Sequence, residues 1–298
     1  MEPTVAIILV NYNGYDDTIE CVKSIRNIKY QNYKIFIVDN CSSDAEKMRE
    51  NDFLIQNAEI VYSDTNLGFS GGNNLAIEMA LKEKFEYIAL LNNDTTVDPD
   101  FLGELVKTSK KRNAGAVTGK IYYYYCQKNV WSAGGEYDRN TGLTIQYSGI
   151  DDGKFDVEKE ITFATGCLLV IPAKVIQKIG LLDESYFLYS EDSDYCQRII
   201  DAGYKIMYSP KSVIYHKVSA STGDKSSLQQ RYMMRNNLYM IKKYGVKPVH
   251  AYFKLGWQMF KHIARGRRNL IPTIQGTSDF CVIESGKYRS RGRNEVEL

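Results

Sequence analysis

The sequence has few residues of the kinds that would cross-link the chain or carry it across a membrane. Its six cysteines are scattered, with no C-x-x-C pair and no His at zinc-ligand spacing. We therefore expect reduced thiols in the cytoplasm rather than a disulfide framework or a zinc site. No apolar run approaches the roughly 18 residues that a membrane-spanning helix needs. Residues 1–4 contain no basic residue, so we also expect no signal peptide.

The sequence does have the composition of a folded globular chain. Its 298 residues are 44% hydrophobic and 25% charged, which is enough for one large core or two moderate ones. The net charge of +2 conceals an uneven distribution, because residues 226–298 carry 14 Lys and Arg against 4 Asp and Glu. Residues 1–225 are net negative, so the basic charge is concentrated at the C-terminus.

Strands alternate with helices over the first 115 residues. Apolar runs predict strands at 5–10, 34–38, 60–62 and 87–91, and helical periodicity follows each of them. This alternation predicts an α/β fold with a mostly parallel sheet and right-handed crossovers. Beyond Gly115 the pattern changes to Tyr-rich strands and hairpins. Later segments are predicted as a helix at 191–202, short strands at 205–208 and 213–215, a loop at 219–227, helices at 228–244 and 249–265, and a polar tail.

Polar side chains follow the buried strand at 87–91. Asn92, Asn93 and Asp94 stand where that strand ends, and ligands bind outside the carboxyl ends of strands in open α/β sheets. A carboxylate flanked by amides suits a divalent cation that takes further oxygens from a diphosphate. The same residues are also typical of a turn, so the tripeptide alone leaves both interpretations open.

Three other positions allow two interpretations each. Asp39 ends the second strand and could accept from a pyrimidine imide or a ribose hydroxyl, or it could simply precede a turn. The glycine-rich loop at 66–74 could hold phosphate, although close packing of helix on sheet is the preferred role for Gly71 and Gly72. His216, one of three histidines, is either structural or a metal ligand.

Several short motifs occur in a fixed order along the chain. They are 10–13 (VNYN), 38–44 (VDNCSSD), 66–74 (NLGFSGGNN), 91–94 (LNND), 166–167 (GC), 191–198 (EDSDYCQR) and 215–216 (YH). In this order they resemble the family-2 inverting glycosyltransferases of GT-A fold, especially the rhamnosyltransferase-like branch that builds bacterial surface polysaccharides. The resemblance covers about residues 4–245.

The resemblance implies a function and a division of the chain. Residues 1–225 would form the GT-A catalytic domain, with a Rossmann-like nucleotide-binding half at 1–115 and an acceptor half at 116–225, followed by a helical basic segment at 226–298. The enzyme would transfer a sugar, with dTDP-L-rhamnose the first choice of donor and a UDP-hexose or UDP-galactofuranose the second. The acceptor would be a glycan or lipid-linked glycan. A nucleotidyltransferase and a non-catalytic glycan-binding scaffold remain the alternatives of other classes.

The resemblance also assigns roles to residues. Asp192 would be the general base, and Asp94 with His216 would hold Mg²⁺ or Mn²⁺ on the diphosphate. The nucleotide-binding residues would be Asn11, Asp39, Asn66, Gly72, Asn92 and Asn93, and the acceptor side would include Gly166, Cys167 and Glu191. Asn92 departs from the family pattern, because it occupies the first acidic position of the D-x-D motif and leaves one carboxylate for the metal.

Helix geometry supports Asp192 over its acidic neighbours. Asp192 and Asp194 point roughly 200° apart on a helix, so only one of them can face the acceptor. Asp194 has Arg198 one turn later and is expected to pair with it. The helix N-terminus is expected to lower the pKa of Asp192.

The helix at 249–265 has an apolar stripe beside basic residues. The stripe consists of Val249, Tyr252, Phe253, Gly256, Trp257, Phe260 and Ile263, and the basic residues are His250, Lys254, Lys261 and Arg265. Such a helix can lie in an anionic membrane interface, or it can pack its stripe on the catalytic domain. We expect a cytoplasmic protein that binds the membrane surface peripherally through this basic segment. No nucleic-acid partner is expected.

Overall fold

The computed structural model describes residues 2–50, 58–218 and 226–284. In chain order its elements are β1 (Val5–Asn11), α1 (Tyr15–Ile25), β2 (Tyr33–Asp39), α2 (Ala45–Glu50), β3 (Ala58–Tyr62), α3 (Gly68–Lys82), β4 (Tyr87–Leu91), β5 (Thr95–Val97), α4 (Phe101–Arg112), β6 (Ala116–Tyr123), β7 (Cys126–Ser132), β8 (Gly135–Asp138), β9 (Leu143–Gln146), β10 (Gly149–Ile150), β11 (Lys159–Ile161), β12 (Leu168–Pro172), α5 (Ala173–Ile179), a 3₁₀ turn (Glu184–Tyr186), α6 (Glu191–Asp201), β13 (Ile206–His216), α7 (Ser227–Tyr244), α8 (Pro248–Ala264) and α9 (Leu270–Glu284).

The first half of the chain builds a parallel sheet in the order β3-β2-β1-β4. β1 pairs in parallel with β2 on one side and β4 on the other, and β3 extends the sheet beyond β2. β12 then adds to β4 in antiparallel orientation and is followed by β6, with which β13 pairs in parallel. The predicted α/β fold with a mostly parallel central sheet is confirmed.

The central strands are covered by helices on both faces, which explains their continuous apolar sequences. Ile7 and Leu9 of β1 belong to a core cluster that includes residues of α1 and α4. Ala6 and Ile8 belong to a second cluster on the other face, with residues of α3, α5 and α6. Because side chains alternate between faces, neither face of β1 can carry a polar group except at its end.

The structure corrects the interpretation of the glycine-rich segment. Helix α3 begins at Gly68, so residues 68–74 are helical rather than a loop. Gly72 is buried against β1, and a Cβ atom there would lie 2.9 Å from Val10 Cγ1. Close packing of helix on sheet therefore accounts for Gly72, and the prediction that it contacts the nucleotide is not supported, because its Cα faces the sheet.

The C-terminal part differs from the sequence expectation in two ways, and a third expectation is not tested. The two short strands predicted at 205–208 and 213–215 form one strand, β13, with an irregularity between Ser209 and Val213. The predicted loop at 219–227 falls mostly outside the described residues. The tail with weak signals contains a further helix, α9, which packs on α7. None of the helices within residues 2–50, 58–218 and 226–284 is long and apolar enough to cross a membrane.

Helix α8 packs through a different face from the one that its apolar stripe suggests. Ala251, Leu255 and Met259 are buried against residues of α7. By contrast, Phe253 of the stripe is 77% exposed and Trp257 is 60% exposed. The interpretation in which the stripe packs on the catalytic domain is therefore wrong.

Candidate active site

The ends of β1 and β2 form one side of the site. Asn11 stands opposite Asp39 in the parallel register, and its Nδ2 donates to Asp39 Oδ2 over 2.8 Å. Ser42 donates its backbone N–H to the other carboxylate oxygen over 3.0 Å, and its hydroxyl accepts from Asn11 Nδ2 over 3.1 Å. Both strand-end side chains are buried. These bonds fix the orientation of the Asp39 carboxylate at the carboxyl edge of the sheet.

Two further predicted residues, Asn93 and Asn66, make hydrogen bonds around these strand ends. Asn93 Nδ2 donates to Thr18 Oγ1 over 2.9 Å and lies 3.3 Å from Asn11 Oδ1, which links the end of β4 to that of β1. Asn66 Oδ1 accepts from Asn40 Nδ2 over 3.0 Å and from Gly68 N over 2.9 Å. Both amides are thus engaged in shaping the edge of the crevice.

Asp94 and His216 meet at the end of β4, although 122 positions separate them in the chain. Antiparallel pairing of β13 with β5 places His216 beside Thr95, and His216 Nε2 lies 3.1 Å from Asp94 Oδ1. Both side chains are largely buried, and the ring of Trp131 meets the imidazole edge-on at a centroid distance of 4.4 Å. Asn92 Nδ2 lies 3.5 Å from Nε2, at the limit for a hydrogen bond.

The donor set around Asp94 fits part of a divalent cation site. It offers a carboxylate, an imidazole and the amide of Asn92, which are hard or borderline ligands. His216 Nδ1 is buried and finds no hydrogen-bond partner in the part of the chain that the structure describes. Within the same residues no group of three His, Cys, Asp or Glu could hold a metal. A cation here would need further oxygens from a bound diphosphate.

Two buried thiols lie beneath this pair and are not suited to bind metal. Burial raises the pKa of Cys21 to about 12, and burial raises the pKa of Cys167 well above its ordinary value. The nearby charges of Asp94 and Asp192 raise the pKa of Cys167 further. The backbone links the two carboxylates, because Cys167 O accepts from Asn92 N over 3.0 Å and Gly166 N donates to Asp192 Oδ2. Cys167 itself is part of the hydrophobic core. Its predicted contact with the acceptor is therefore not supported, because its thiol is buried.

Asp192 lies in the first turn of α6 and is held by backbone donors. Its Oδ2 accepts from Gly166 N over 3.2 Å, and its Oδ1 accepts from Ser193 N over 2.6 Å. Burial nevertheless raises the pKa of Asp192, and these hydrogen bonds only partly oppose that effect. The expectation of a lowered pKa is therefore wrong, because desolvation outweighs the helix N-terminus. Burial also raises the pKa of Glu191 well above its ordinary value.

The neighbouring Asp194 has a structural role. Its carboxylate is fully buried and accepts from Arg198 Nε over 2.9 Å, as the spacing predicts. Lys243 Nζ lies 2.6 Å away and the hydroxyl of Tyr244 lies 2.8 Å away, and both belong to α7. Asp194 therefore joins α6 to α7, whereas Asp192 faces the loop at Gly166.

Comparison with known proteins identifies the family. Residues 6–180 match the model of Glycosyl transferase family 2, which is more than half of the chain. The chain belongs to this family.

This family-2 glycosyltransferase is similar to several relatives at low identity. dTDP-rhamnosyl transferase RfbF of Shigella flexneri is 21% identical over 306 residues, covering 100% of this chain and 92% of RfbF. The low-salt glycan biosynthesis hexosyltransferase Agl10 of Haloferax volcanii is 27% identical over 198 residues, covering 65% of this chain and 60% of Agl10. The uncharacterized protein y4gI of Sinorhizobium fredii is 26% identical over 254 residues. That match covers 81% of this chain, which spans only 27% of y4gI.

Solved structures support the GT-A fold of this glycosyltransferase. GalNAc-T7 with UDP, GalNAc and Mn²⁺ superposes with a TM-score of 0.63 at 17% identity, covering 80% of this chain and 48% of GalNAc-T7. Residues 1–349 of S. aureus TarS in complex with UDP superpose with a TM-score of 0.55 at 15% identity, covering 88% and 72% of the two chains. At these identities the likeness shows the fold alone.

Some residues of the glycosyltransferase site were not expected from the sequence. Ser42 lies within the motif at 38–44, so its position after a strand end was an available signal. Thr18 and Trp131 gave no local signal. Thr18 comes from α1, and Trp131 reaches His216 only because β7 is brought alongside β6.

Proposed function

We propose that this family-2 glycosyltransferase transfers a sugar from a nucleotide-sugar to a glycan or lipid-linked glycan, with inversion at the anomeric carbon. The observation that carries the proposal is that residues 166–167 contact both the carboxylate of Asp192 and the backbone of Asn92, two positions before Asp94, in the sheet that also carries the polar ends of β1 and β2. A base and a leaving-group site are thereby adjacent to a position for a nucleotide. We also propose that residues 1–115 bind the nucleotide and residues 116–225 form the acceptor half, and that the basic C-terminal segment with α7, α8 and α9 follows them.

The proposed step is a direct displacement. The acceptor oxygen forms a bond to the anomeric carbon while Asp192 takes the hydroxyl proton, and the bond from that carbon to the diphosphate oxygen breaks. The nucleoside diphosphate leaves with the electron pair. The raised pKa of Asp192 favours this role, because a more basic carboxylate is a better proton acceptor as long as it stays ionised at the working pH.

Asp94 and His216 are the proposed holders of Mg²⁺ or Mn²⁺, with Asn92 beside them. A bound cation supplies charge neutralisation for the departing diphosphate. Asp39 and Asn11 are proposed to face the base and ribose, with Asn66 and Asn93 shaping the crevice around them. Gly166 and Glu191 are proposed to lie on the acceptor side, where Gly166 also donates to Asp192.

The proposed donor is dTDP-L-rhamnose, supported by the similarity to RfbF over the whole chain. Hydrolysis of a panel of nucleotide-sugars tests this choice, and we expect dTDP-L-rhamnose to be consumed fastest. UDP accompanies both superposed structures, so a UDP-hexose is the second candidate. Faster hydrolysis of UDP-glucose or UDP-galactofuranose than of dTDP-L-rhamnose would replace the donor assignment without affecting the reaction class.

The adjacent carboxylates of α6 give a matched pair of variants. Asp192→Asn is expected to lower turnover by roughly 10²-fold or more through loss of a positioned base, with donor binding unchanged. Because the pKa of Asp192 is raised on folding, its ionised form costs stability above its unfolded pKa, and this cost disappears at lower pH. The Asn variant should therefore be at least as stable as the wild type at pH 7.

Asp194→Asn should behave in the opposite way. It leaves the cations of Arg198 and Lys243 without their buried partner, which is expected to cost about 3 kcal/mol of unfolding free energy. Denaturant titration and turnover measured on both variants decide the assignment. The roles would be reversed if Asp192→Asn transferred sugar at the wild-type rate while folded Asp194→Asn did not.

The metal assignment is tested at Asp94. Asp94→Asn retains the size of the side chain but removes its charge, so turnover should be abolished while thermal unfolding changes little. Asp98→Asn, beyond the opposite end of β5, is the matched control and should retain activity. Excess chelator should inactivate the wild type, and added Mg²⁺ or Mn²⁺ should restore it. Full activity in chelator, or in Asp94→Asn, would remove Asp94 from this role.

We further propose that α8 and the start of α9 bind an anionic membrane surface. Besides Phe253 and Trp257, exposed apolar side chains include Val249, Phe260, Leu270, Ile271 and Ile274. Residues 247–278 contain six Lys and Arg and no Asp or Glu. Exposed aromatic and aliphatic residues flanked only by cations are the features of an interfacial helix.

Co-sedimentation with vesicles tests this surface. Wild-type protein should bind vesicles of anionic lipid at low salt, where screening is weakest. It should bind zwitterionic vesicles weakly, because they carry no net negative charge to attract the Lys and Arg residues. Trp257→Glu should release the protein. Ile150→Glu, which also places a glutamate at an exposed apolar residue but on β10, should not. Equal binding by wild type and Trp257→Glu, or no binding by the wild type, would contradict the proposal.

A further inference from the structure

The segment that leads into α6 has an unfavourable backbone. Residues 184–190, which we call the base loop, end two positions before Asp192. Three of them have φ in the left-handed region although none is glycine, with values of 56° at Phe187, 68° at Tyr189 and 67° at Ser190. Residues with a Cβ atom rarely adopt this backbone conformation, and it persists only where the surrounding structure imposes it.

Asn236 of α7 supplies part of that constraint. Its Nδ2 donates to the carbonyl oxygens of Leu188 and Tyr189 over 2.9 and 2.7 Å. Its Oδ1 accepts from Arg235 Nε over 2.7 Å, so the amide orientation is fixed by its neighbour. Asn236 is 1% exposed, so it has little contact with solvent.

Arg235, on the same helix, supplies a further part of the constraint. Its Nη2 donates to the carbonyl oxygens of Ser185 and Tyr186 over 2.9 and 2.6 Å. The residue is 3% exposed, so these hydrogen bonds to backbone carbonyls are donated by a buried guanidinium. A group that is costly to bury is therefore positioned against the base loop.

The base loop is held from the other side by the start of α3. Phe69 N donates to the carbonyl oxygen of Phe187 over 2.7 Å. At Gly68, where φ is +69°, a Cβ atom would lie only 2.3 Å from that same oxygen. The base loop thus lies between the start of α3 and helix α7. Helix α3 follows β3 in the chain.

We infer that Asn236 and Arg235 are positioning residues for catalysis. By holding the base loop in its left-handed conformation they set the start of α6 and thereby the direction of Asp192. The inference rests on the proposed function of Asp192 as base. It makes α7 part of the catalytic machinery, although α7 lies outside residues 6–180 that match the family model.

The decisive variant is Asn236→Asp in the full chain. Aspartate has nearly the same size and keeps the oxygen that accepts from Arg235, but it replaces the donors to the two carbonyls with an acceptor. We expect kcat for donor hydrolysis or transfer to fall about tenfold or more, since a small misplacement of a catalytic group has effects of that order.

The KM for the donor should stay within about twofold, because the strand ends are unchanged. Amide hydrogen exchange in residues 184–192 should become faster, while exchange in β1 and β4 stays the same.

Two arginines of α7 provide a matched comparison. Arg235→Lys keeps the charge but cannot reproduce the guanidinium geometry, so it should shift kcat and exchange in the same direction by a smaller factor. Arg231, one turn earlier, instead binds Asp279 of α9 over 2.6 and 3.0 Å. Arg231→Lys should therefore leave both kcat and the exchange of residues 184–192 unchanged.

The outcomes separate this inference from the proposed function. The inference would be overturned if folded Asn236→Asp and Arg235→Lys had the kcat and the hydrogen exchange of the wild type. An equal loss of kcat in Arg231→Lys would also overturn it. So would a rise in the KM for the donor without a fall in kcat. If Asn236→Asp does not fold, the kcat and hydrogen exchange of Arg235→Lys test the inference. A wild-type chain that hydrolyses no nucleotide-sugar would refute the proposed function, and the exchange measurements would then decide the positioning role alone.

Discussion

Burial of β1, β2 and β4 on both faces is the constraint on which the site depends. A strand covered by helices on each side has no position for a polar side chain along its length, so polar groups can appear only where the strand leaves the sheet. Asn11, Asp39 and the 92–94 tripeptide occupy those positions. Parallel pairing brings the strand ends to one edge, and the later β13 adds His216 to that edge from a distant part of the chain. Core packing and site assembly are therefore consequences of the same sheet.

Opposing electrostatic effects meet at the start of α6. Backbone donors at Gly166 and Ser193 favour an ionised Asp192, whereas burial favours the protonated form, and burial prevails. Asp194 is fully buried, but Arg198 and Lys243 provide compensating charges. Two carboxylates separated by one residue thus have different partners. Asp194 stabilises the contact with α7, and Asp192 keeps a proton affinity that suits a base.

Much of the fold and some of the site could be predicted from the sequence. The strand at Tyr87–Leu91 and the helix from Glu191 were predicted with their boundaries nearly correct, because their apolar patterns are unbroken and their ends are marked by polar residues. The pairing of Asp194 with Arg198 follows from helical spacing. Contacts such as Trp131 on His216 could not be predicted, since they depend on strand pairing across the sheet. The pKa of Asp192 was predicted in the wrong direction because burial has no local sequence signal. Helix α9 was not recognised, since its apolar residues lie on more than one face.

The two tryptophans occupy two different surfaces of the molecule. Trp131 is packed on His216 beside the strand ends, whereas Trp257 is exposed on α8 and far along the chain from that site. Their indole emission therefore comes from two separate environments, one partly buried against the core and one open to solvent. Replacing either one with phenylalanine would leave a chain with a single tryptophan, which can be excited selectively at wavelengths where the 23 tyrosines do not absorb. Quenching of Trp131 would then report events at the crevice, and a blue shift of Trp257 would report transfer of α8 from water to an apolar phase, without any added label.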